Sequence, residues 1–427
     1  MKFQNVRGTQ DILPENNKYW TYILNAINHS AEINGFEKVD TPLIEYLSLY
    51  EKGTGTDTEI VGKQMFEVSR LGNEPTDDKD KQVLRPEITP GLVRAYVNHG
   101  MREWPQPVQL YTWGPCFRYE RPQSGRFRQF NQIDFESFGA GDPATDSRMI
   151  SLVFSLLKEL RLKNFSLEIN TLGCNSCKKP VADYLKSYFN KKKAVLCKDC
   201  LARLSKNPMR ILDCKKSTCQ KAFKDLPPFE EQVCEQCKDH FSQVKDFLKE
   251  SRVTFNVNNN LVRGLDYYTR TVFEVSLKED KNKELVILGG GRYDGLFETY
   301  GEKSTPAIGF AFGIERMVEA LKNQKIKVDI TDKIGVFVAQ LGEDAKRKAL
   351  TILELLKTEG ISARAALSKN TLKSQLKLAD KLKAQYTVII GQREILDGTA
   401  IIRSMGEGVQ EVVEQEKLVD NLKGKLK

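Results

Sequence analysis

Residues 108–139 read VQLYTWGPCFRYERPQSGRFRQFNQIDFESFG. The runs VQLYTWGPCFRYE and FNQIDFESFG have strand composition, and RPQSGRFRQ between them is polar. The pattern predicts an antiparallel hairpin with a long, Arg-rich tip. Alternation along a strand puts Arg118 and Glu120 on one face of the first run, and Gln132 and Glu136 on one face of the second. One sheet face then combines a guanidinium with carboxylates and an amide, which can hold a phosphate and a charged organic group together. Arg121, Arg126 and Arg128 at the tip could each be a solvated cross-strand ion pair. Trp113, Phe117 and Phe130 argue for a covered sheet instead.

Upstream, apolar spacing predicts a helix over Asn17–Asn34, ended by Gly35. FEKVDTPLIEY (36–46) follows as an extended, proline-interrupted strand, and NEPTDDKDKQ (73–82) is a polar loop. LRPEIT (84–89) leads into the helix GLVRAYVNHGM. Glu87 and Thr89 fall on one face there, a carboxylate and a hydroxyl suited to an ammonium group; Thr89 is equally placed to cap the helix. Downstream, LVRGLDYYTR (261–270) sets Arg263 in apolar company, which is costly unless an anion meets it. The sheet resumes here, with Thr271, Phe273, Val275 and Leu277 alternating. LVILGGGRYDGL (285–296) closes a strand on three glycines. It fits neither GxxxxGK[ST] nor GxGxxG, so the glycines either admit a flat ligand to the backbone or make a tight turn. In GFAFGIERM (309–317), Arg316 opens a helix, as an anion site or a surface salt bridge. From 333 onward, apolar strands alternate with lysine-faced helices, which predicts a separate α/β domain with a largely parallel sheet.

Charge is unevenly placed. Residues 171–260 carry 18 Lys and Arg against 10 Asp and Glu, residues 331–427 carry 17 against 13, and the remainder carries 31 against 34. Two basic modules beside a near-neutral one suit a polyanion larger than a small substrate. The three histidines, His29, His99 and His240, stand outside every motif. That argues against a His-centred metal site or a Ser-His-Asp triad. No run approaches the roughly 18 apolar residues of a membrane span. The N-terminal MKFQNVRGTQDILPEN has no apolar signal segment, so no membrane association and a cytoplasmic location are expected.

Together these stretches resemble the class II aminoacyl-tRNA synthetases, and within them the histidyl-tRNA synthetase family. FEKVDTPLIEY, with Pro42, resembles motif 1; FRYE with the Arg-rich loop resembles motif 2; GFAFGIERM resembles motif 3. LVRGLDYYTR and GGGRYDGL resemble the two histidine-specific motifs. The resemblance covers about residues 5–425. It implies an α+β fold: an antiparallel sheet flanked by helices, with a Cys-rich insertion domain and a C-terminal α/β anticodon-binding domain. The expected limits are 1–170 for the first catalytic part, 171–257 for the insertion, 258–325 for the second catalytic part and 331–427 for the anticodon domain. It also implies a homodimer that activates L-histidine with ATP and Mg2+ and transfers the histidyl group to tRNA(His). By the same match, Arg118 and Arg263 would flank the α-phosphate as catalytic residues, and Arg316 would hold the γ-phosphate. Glu120 and Arg126 would complete the ATP site. Glu87, Thr89 and Gln132 would bind the α-ammonium. Glu136 and Tyr268 would bond the imidazole, with Tyr267 lining it. The alternative is the inactive synthetase-like regulatory subunit of histidine biosynthesis, which lacks the anticodon domain and has degraded motifs.

The cysteines are read from spacing. Cys174-x2-Cys177, Cys197-x2-Cys200, Cys234-x2-Cys237 and the looser Cys214-x4-Cys219 give eight thiols, enough for two four-thiolate zinc sites. Reduced, unliganded thiols are the other reading. Cys116 stands apart in the first hairpin strand as a packing residue.

Overall fold

The computed structural model describes residues 3–55, 58, 60–69, 81–121, 125–223, 225–279, 283–328 and 334–426. Of the loop expected over 73–82, residues 73–80 lie outside these, and Gln82 already begins a strand. The chain divides into two compact units, 1–328 and 329–427.

In the first unit the strands are β1 (Glu37–Lys38), β2 (Ile44–Tyr46), β3 (Phe66–Val68), β4 (Gln82–Leu84), β5 (Val108–Phe117), β6 (Gln129–Phe138), β7 (Phe165–Thr171), β8 (Asn256–Val257), β9 (Thr269–Glu279), β10 (Lys283–Arg292) and β11 (Ala307–Gly313). Eight of them form one sheet in the order β1-β5-β6-β11-β10-β9-β7-β8. The six inner strands are antiparallel. Both edge pairs, β1–β5 and β7–β8, are parallel, so the sheet is mixed and not antiparallel throughout. Connectivity is the reason. A parallel neighbour needs a crossover, and the helix Thr89–Asn98 lies between β1 and β5 while the insertion lies between β7 and β8.

The expected hairpin is β5–β6, registered from Val108 opposite Phe138 to Phe117 opposite Gln129. It is shorter than its sequence implied. The Arg118 N–H still donates to the Arg128 carbonyl at 2.9 Å, but the Arg128 N–H turns to the Gly8 carbonyl at 2.7 Å, so this pair keeps one ladder bond of two. Arg118 and Glu120 lie beyond the strand, not on its face as expected.

One sheet face is covered by helices Pro14–Asn34, Pro143–Glu159 and Ile314–Asn323. Ile27, Phe135, Ile150, Phe310 and Met317 are buried between them. The Phe135 and Phe310 rings stack at 5.1 Å. The first helix begins three residues before its expected start, because Pro14 suits the first helical position. It ends where Gly35 adopts φ 73°. The insertion helix Glu235–Glu250 also joins this core through Phe241, Val244 and Leu248. The other sheet face belongs to the site.

The second unit has β12 (Val336–Gln340), β13 (Ala363–Ala365), β14 (Tyr386–Ile390), β15 (Thr399–Ser404) and β16 (Gln410–Glu414), in the order β13-β12-β14-β15-β16. The first three are parallel, as expected. β15 and β16 add an antiparallel hairpin that the strand–helix alternation did not reveal. Among the described residues, no helix is long and apolar enough to cross a membrane.

Candidate active site

Gln132, Asp134 and Glu136 alternate with the core residues Ile133 and Phe135 along β6, so they share the face turned away from the helices. All three are buried. The Gln132 amide donates to both Asp134 carboxylate oxygens, at 2.9 and 3.2 Å. Glu136 accepts from the Thr89 hydroxyl at 2.8 Å and from the Tyr293 hydroxyl. Thr89 therefore serves the site and does not cap its helix. Glu87 accepts from Thr54 at 2.6 Å and from the Tyr267 hydroxyl at 3.0 Å.

Burial pushes all three carboxyls up. Glu87 is raised by burial, against the pull of Thr54, Arg118 and Tyr267. Asp134 is pushed up to about 7 by burial, against the Gln132 amide, with Glu87 adding to the rise. Glu136 is raised well above the usual range by burial, with Asp134 adding to it. Carboxylates that desolvation and one another push toward the neutral form gain most from a cationic ligand.

The arginines form the second half of the site. Arg263 donates to Glu274 at 2.6 Å. It lies across Gly289, where a Cβ would overlap the guanidinium; likewise a Cβ at Gly309 would overlap the Glu136 carboxylate. These two glycines let a charged group lie flat on a strand. Although burial opposes its charge, Tyr268, Glu274 and Asp213 outweigh that and keep Arg263 cationic. Arg118 donates Nε to the Pro86 carbonyl at 2.8 Å and covers the Phe130 ring at 5.2 Å. Arg316, in the first turn of Ile314–Asn323, donates to the Val286 carbonyl at 2.7 Å. Its neighbour Glu315 accepts the Asn131 N–H at 3.0 Å and pins the helix start to β6. Burial lowers Arg316 first, and Arg126 and Arg118 lower it further. Neighbouring guanidiniums that disfavour the charge on Arg316 mark a place for a polyanion. Glu120 pairs with Arg126 at 3.3 Å.

Tyr267, Tyr268 and Tyr293 cluster with centroids 4.8, 5.5 and 6.4 Å apart. The structure thus bonds Glu87 with Tyr267, Thr89 with Glu136, and Gln132 with Asp134 as three hydrogen-bonded sets in one buried region, and sets Arg118 and Arg126 near Arg316. The sequence motifs assign no role to Asp134 or Tyr293. Asp134 had a signal, since it shares strand parity with Gln132 and Glu136. Tyr293 was inside GGGRYDGL, but no local pattern ties it to Glu136, 157 residues away.

The eight cysteines form two groups, Cys174/Cys177/Cys234/Cys237 and Cys197/Cys200/Cys214/Cys219, with the sulfurs of each within 4.8 Å of one another. Cys174, Cys197 and Cys234 each sit immediately before a helix. Backbone N–H groups point at the sulfurs: Cys174 to Cys237 at 3.2 Å, Cys234 to Cys177 at 3.3 Å, and Cys197 to Cys219 at 3.2 Å. The Cys197 thiol is pulled down to about 6, chiefly by the Cys200 N–H. Burial would raise Cys174, but the Cys177 N–H and neighbouring donors pull it down to about 7. Four thiols converging with N–H support are the donor set of a tetrahedral metal site. Cys116 is fully buried apart from both groups, as expected of a packing residue.

A mixed sheet with one helix-covered face, buried carboxyls and Arg263 on the other and a separate α/β unit is the architecture of a class II aminoacyl-tRNA synthetase. A family model described as histidyl-tRNA synthetase matches residues 8–317, and one described as anticodon binding domain matches residues 335–425. The histidine–tRNA ligase of Halothermothrix orenii is 41% identical over 416 residues, 97% of this chain and 98% of the relative. That of Caldicellulosiruptor bescii is 40% identical over 426 residues, the full length of both. The apo crystal structure of Staphylococcus aureus histidyl-tRNA synthetase superposes with TM-score 0.83 at 33% identity, covering 99% of this chain and 100% of that one. The chain belongs to the histidyl-tRNA synthetase family.

Proposed function

We propose that this chain activates L-histidine with Mg·ATP to histidyl-adenylate and transfers the histidyl group to tRNA(His). The observation that carries this reading is the juxtaposition of two opposite fields: Glu87, Asp134 and Glu136 buried with raised carboxyls, and Arg118 and Arg126 close enough to Arg316 to lower it. A substrate pair that is cationic at one end and polyanionic at the other satisfies both. Full-length relatives and the anticodon-domain match favour the ligase over the regulatory subunit.

Glu87, Thr89 and Gln132 bind the α-ammonium. Glu136 and Tyr268 take the two imidazole nitrogens, and Tyr267 lines the ring and steadies Glu87. Leaving either nitrogen unpaired would expose a buried partner, so near-isosteres of histidine are rejected. The substrate carboxylate attacks the α-phosphorus in line and pyrophosphate leaves; Mg2+ accompanying ATP would offset charge on the phosphates. Arg118 and Arg263 stabilise the charge that grows on the α-phosphate oxygens. Arg316 holds the γ-phosphate, and Glu120 with Arg126 closes over the adenine side.

The basic 171–260 segment suits the acceptor arm of tRNA through phosphate contacts, and the 331–427 unit suits the anticodon stem. Leu43, Ile44 and Tyr46 are exposed on the motif 1 stretch; covering them in a second copy gives the homodimer. The two cysteine groups hold structural zinc, and the enzyme works in the cytoplasm. Charging a tRNA(His) transcript with labelled histidine tests the reading. Acid-stable product bound to tRNA but not to an unrelated transcript is expected; absence of charging would refute it.

A further inference from the structure

The residues that hold the Arg263 wall in place come from the insertion, and they are bracketed by the cysteine groups. Arg210 donates Nε and Nη2 to the Asp266 carboxylate at 3.2 and 3.1 Å, and Nη2 also reaches the Gly264 carbonyl at 2.7 Å. The Asn207 amide donates to the same Asp266 oxygen at 3.0 Å, and Lys178 donates to the Asp266 carbonyl at 3.3 Å. Gly264 and Asp266 stand between Arg263 and Tyr267, so this clamp grips the backbone that presents both. Arg210 and Asp266 are only 13% and 32% exposed, which makes the clamp an ordered contact and not a surface pair.

Asn207 and Arg210 lie in the middle of the segment between Cys200 and Cys214, both members of one cysteine group. That segment is the short helix Lys198–Lys206 and the turn Pro208–Ile211. Such pieces have little core of their own, and a shared ion at their ends would fix the distance between them. Lys178 lies in the first turns of Asn175–Asn190, the helix that Cys174 and Cys177 anchor in the other group. A cavity of about 260 Å³, lined by Lys178, Asn207, Arg210, Arg263 and Tyr268, lies between insertion and wall beside the clamp.

We propose that the two cysteine groups are zinc staples whose task is to place the 261–268 wall through the Arg210–Asp266 clamp, making Arg210 a positioning residue for histidine activation. The inference rests on the synthetase reading and adds that metal occupancy of the insertion governs the rate of adenylate formation.

The test uses the full-length protein. Metal analysis should give about two zinc ions per chain, one for each cysteine group. A mercurial thiol reagent then displaces the zinc, followed with a zinc-sensitive dye, while histidine-dependent ATP–pyrophosphate exchange is measured. As zinc leaves, kcat should fall about tenfold or more and the histidine KM should rise with it, because the wall carries Arg263, Tyr267 and Tyr268 together, while the ATP KM, set by Arg118, Arg126 and Arg316 outside the wall, should change by less than about twofold. Added thiol and zinc should restore it. Arg210→Ala should give the same kcat loss with zinc retained, and Arg210→Ala/Asp266→Asn should be no worse than the single variant. Arg210→Lys, which keeps the charge but not the fork, should also retain zinc and lose rate. Zinc release without loss of exchange, or Arg210 variants with wild-type kcat, would overturn the coupling; far less than one zinc per chain would overturn the staples. Wild-type protein without any exchange would overturn the synthetase reading itself, a distinguishable outcome.

Discussion

Arg263 reaches Glu274 at 2.6 Å by lying across Gly289, the residue registered opposite Glu274 on the neighbouring strand. Its Nε, buried, has no hydrogen-bond partner among the described residues. One edge of the guanidinium is thus held while another is left to a ligand. Arg263→Lys keeps the charge and loses the planar fork. Single-turnover adenylate formation should fall about a hundredfold to a thousandfold, the usual loss when one oxyanion donor is removed. Equilibrium binding of histidine should stay within a few-fold.

The two strand glycines should separate the halves of the site. Gly289→Ala drives a methyl group into Arg263, and Gly309→Ala drives one into Glu136. The first should lower kcat with little change in histidine KM, and the second should raise histidine KM. Steady-state pyrophosphate exchange measures both, and equal effects on both parameters in both variants would contradict the division.

Glu136 accepts from Thr89 and Tyr293. Glu136→Ala should abolish histidine-dependent exchange while a thermal melt shows the fold retained. Tyr293→Phe removes one donor to the carboxylate and should weaken histidine binding by about tenfold, the scale of one hydrogen bond to a charged group.

Much of this site was legible because strand parity is a local rule. Gln132 and Glu136 share a face by counting, and Asp134 was there for the same count. Other placements depend on long-range pairing. At the hairpin tip the Arg128 N–H goes to Gly8 and not back to Arg118, a long-range pairing that no reading of 108–139 alone could supply. The cysteine spacing gave pairs, but which pairs combine depends on how helices Asn175–Asn190 and Glu235–Glu250 meet. In the second unit the buried apolar strands identified the parallel half, whereas Thr399–Glu414 is antiparallel and escaped the strand–helix pattern.

Asp134 makes stability depend on pH. Its folded carboxyl is pushed up to about 7 by burial, while in an unfolded chain it ionises near the ordinary value of about 4. Between those values the folded protein holds a proton that the unfolded chain has lost, so this group's contribution to stability falls as pH rises from about 4 to 7 and is level above. Asp134→Asn removes the penalty. The variant should match the wild type near pH 4 and exceed it by a few kcal/mol, as an order of magnitude, above pH 7. Urea melts across that range check it; a gap that does not widen with pH would contradict the assignment.

The central claim, that the buried carboxylates and the arginine set form one histidine-activating pocket, is tested most directly by ATP–pyrophosphate exchange with the purified full-length chain and each standard amino acid in turn. Exchange supported by histidine alone is the result expected. No exchange with histidine, or comparable exchange with another amino acid, would contradict the account.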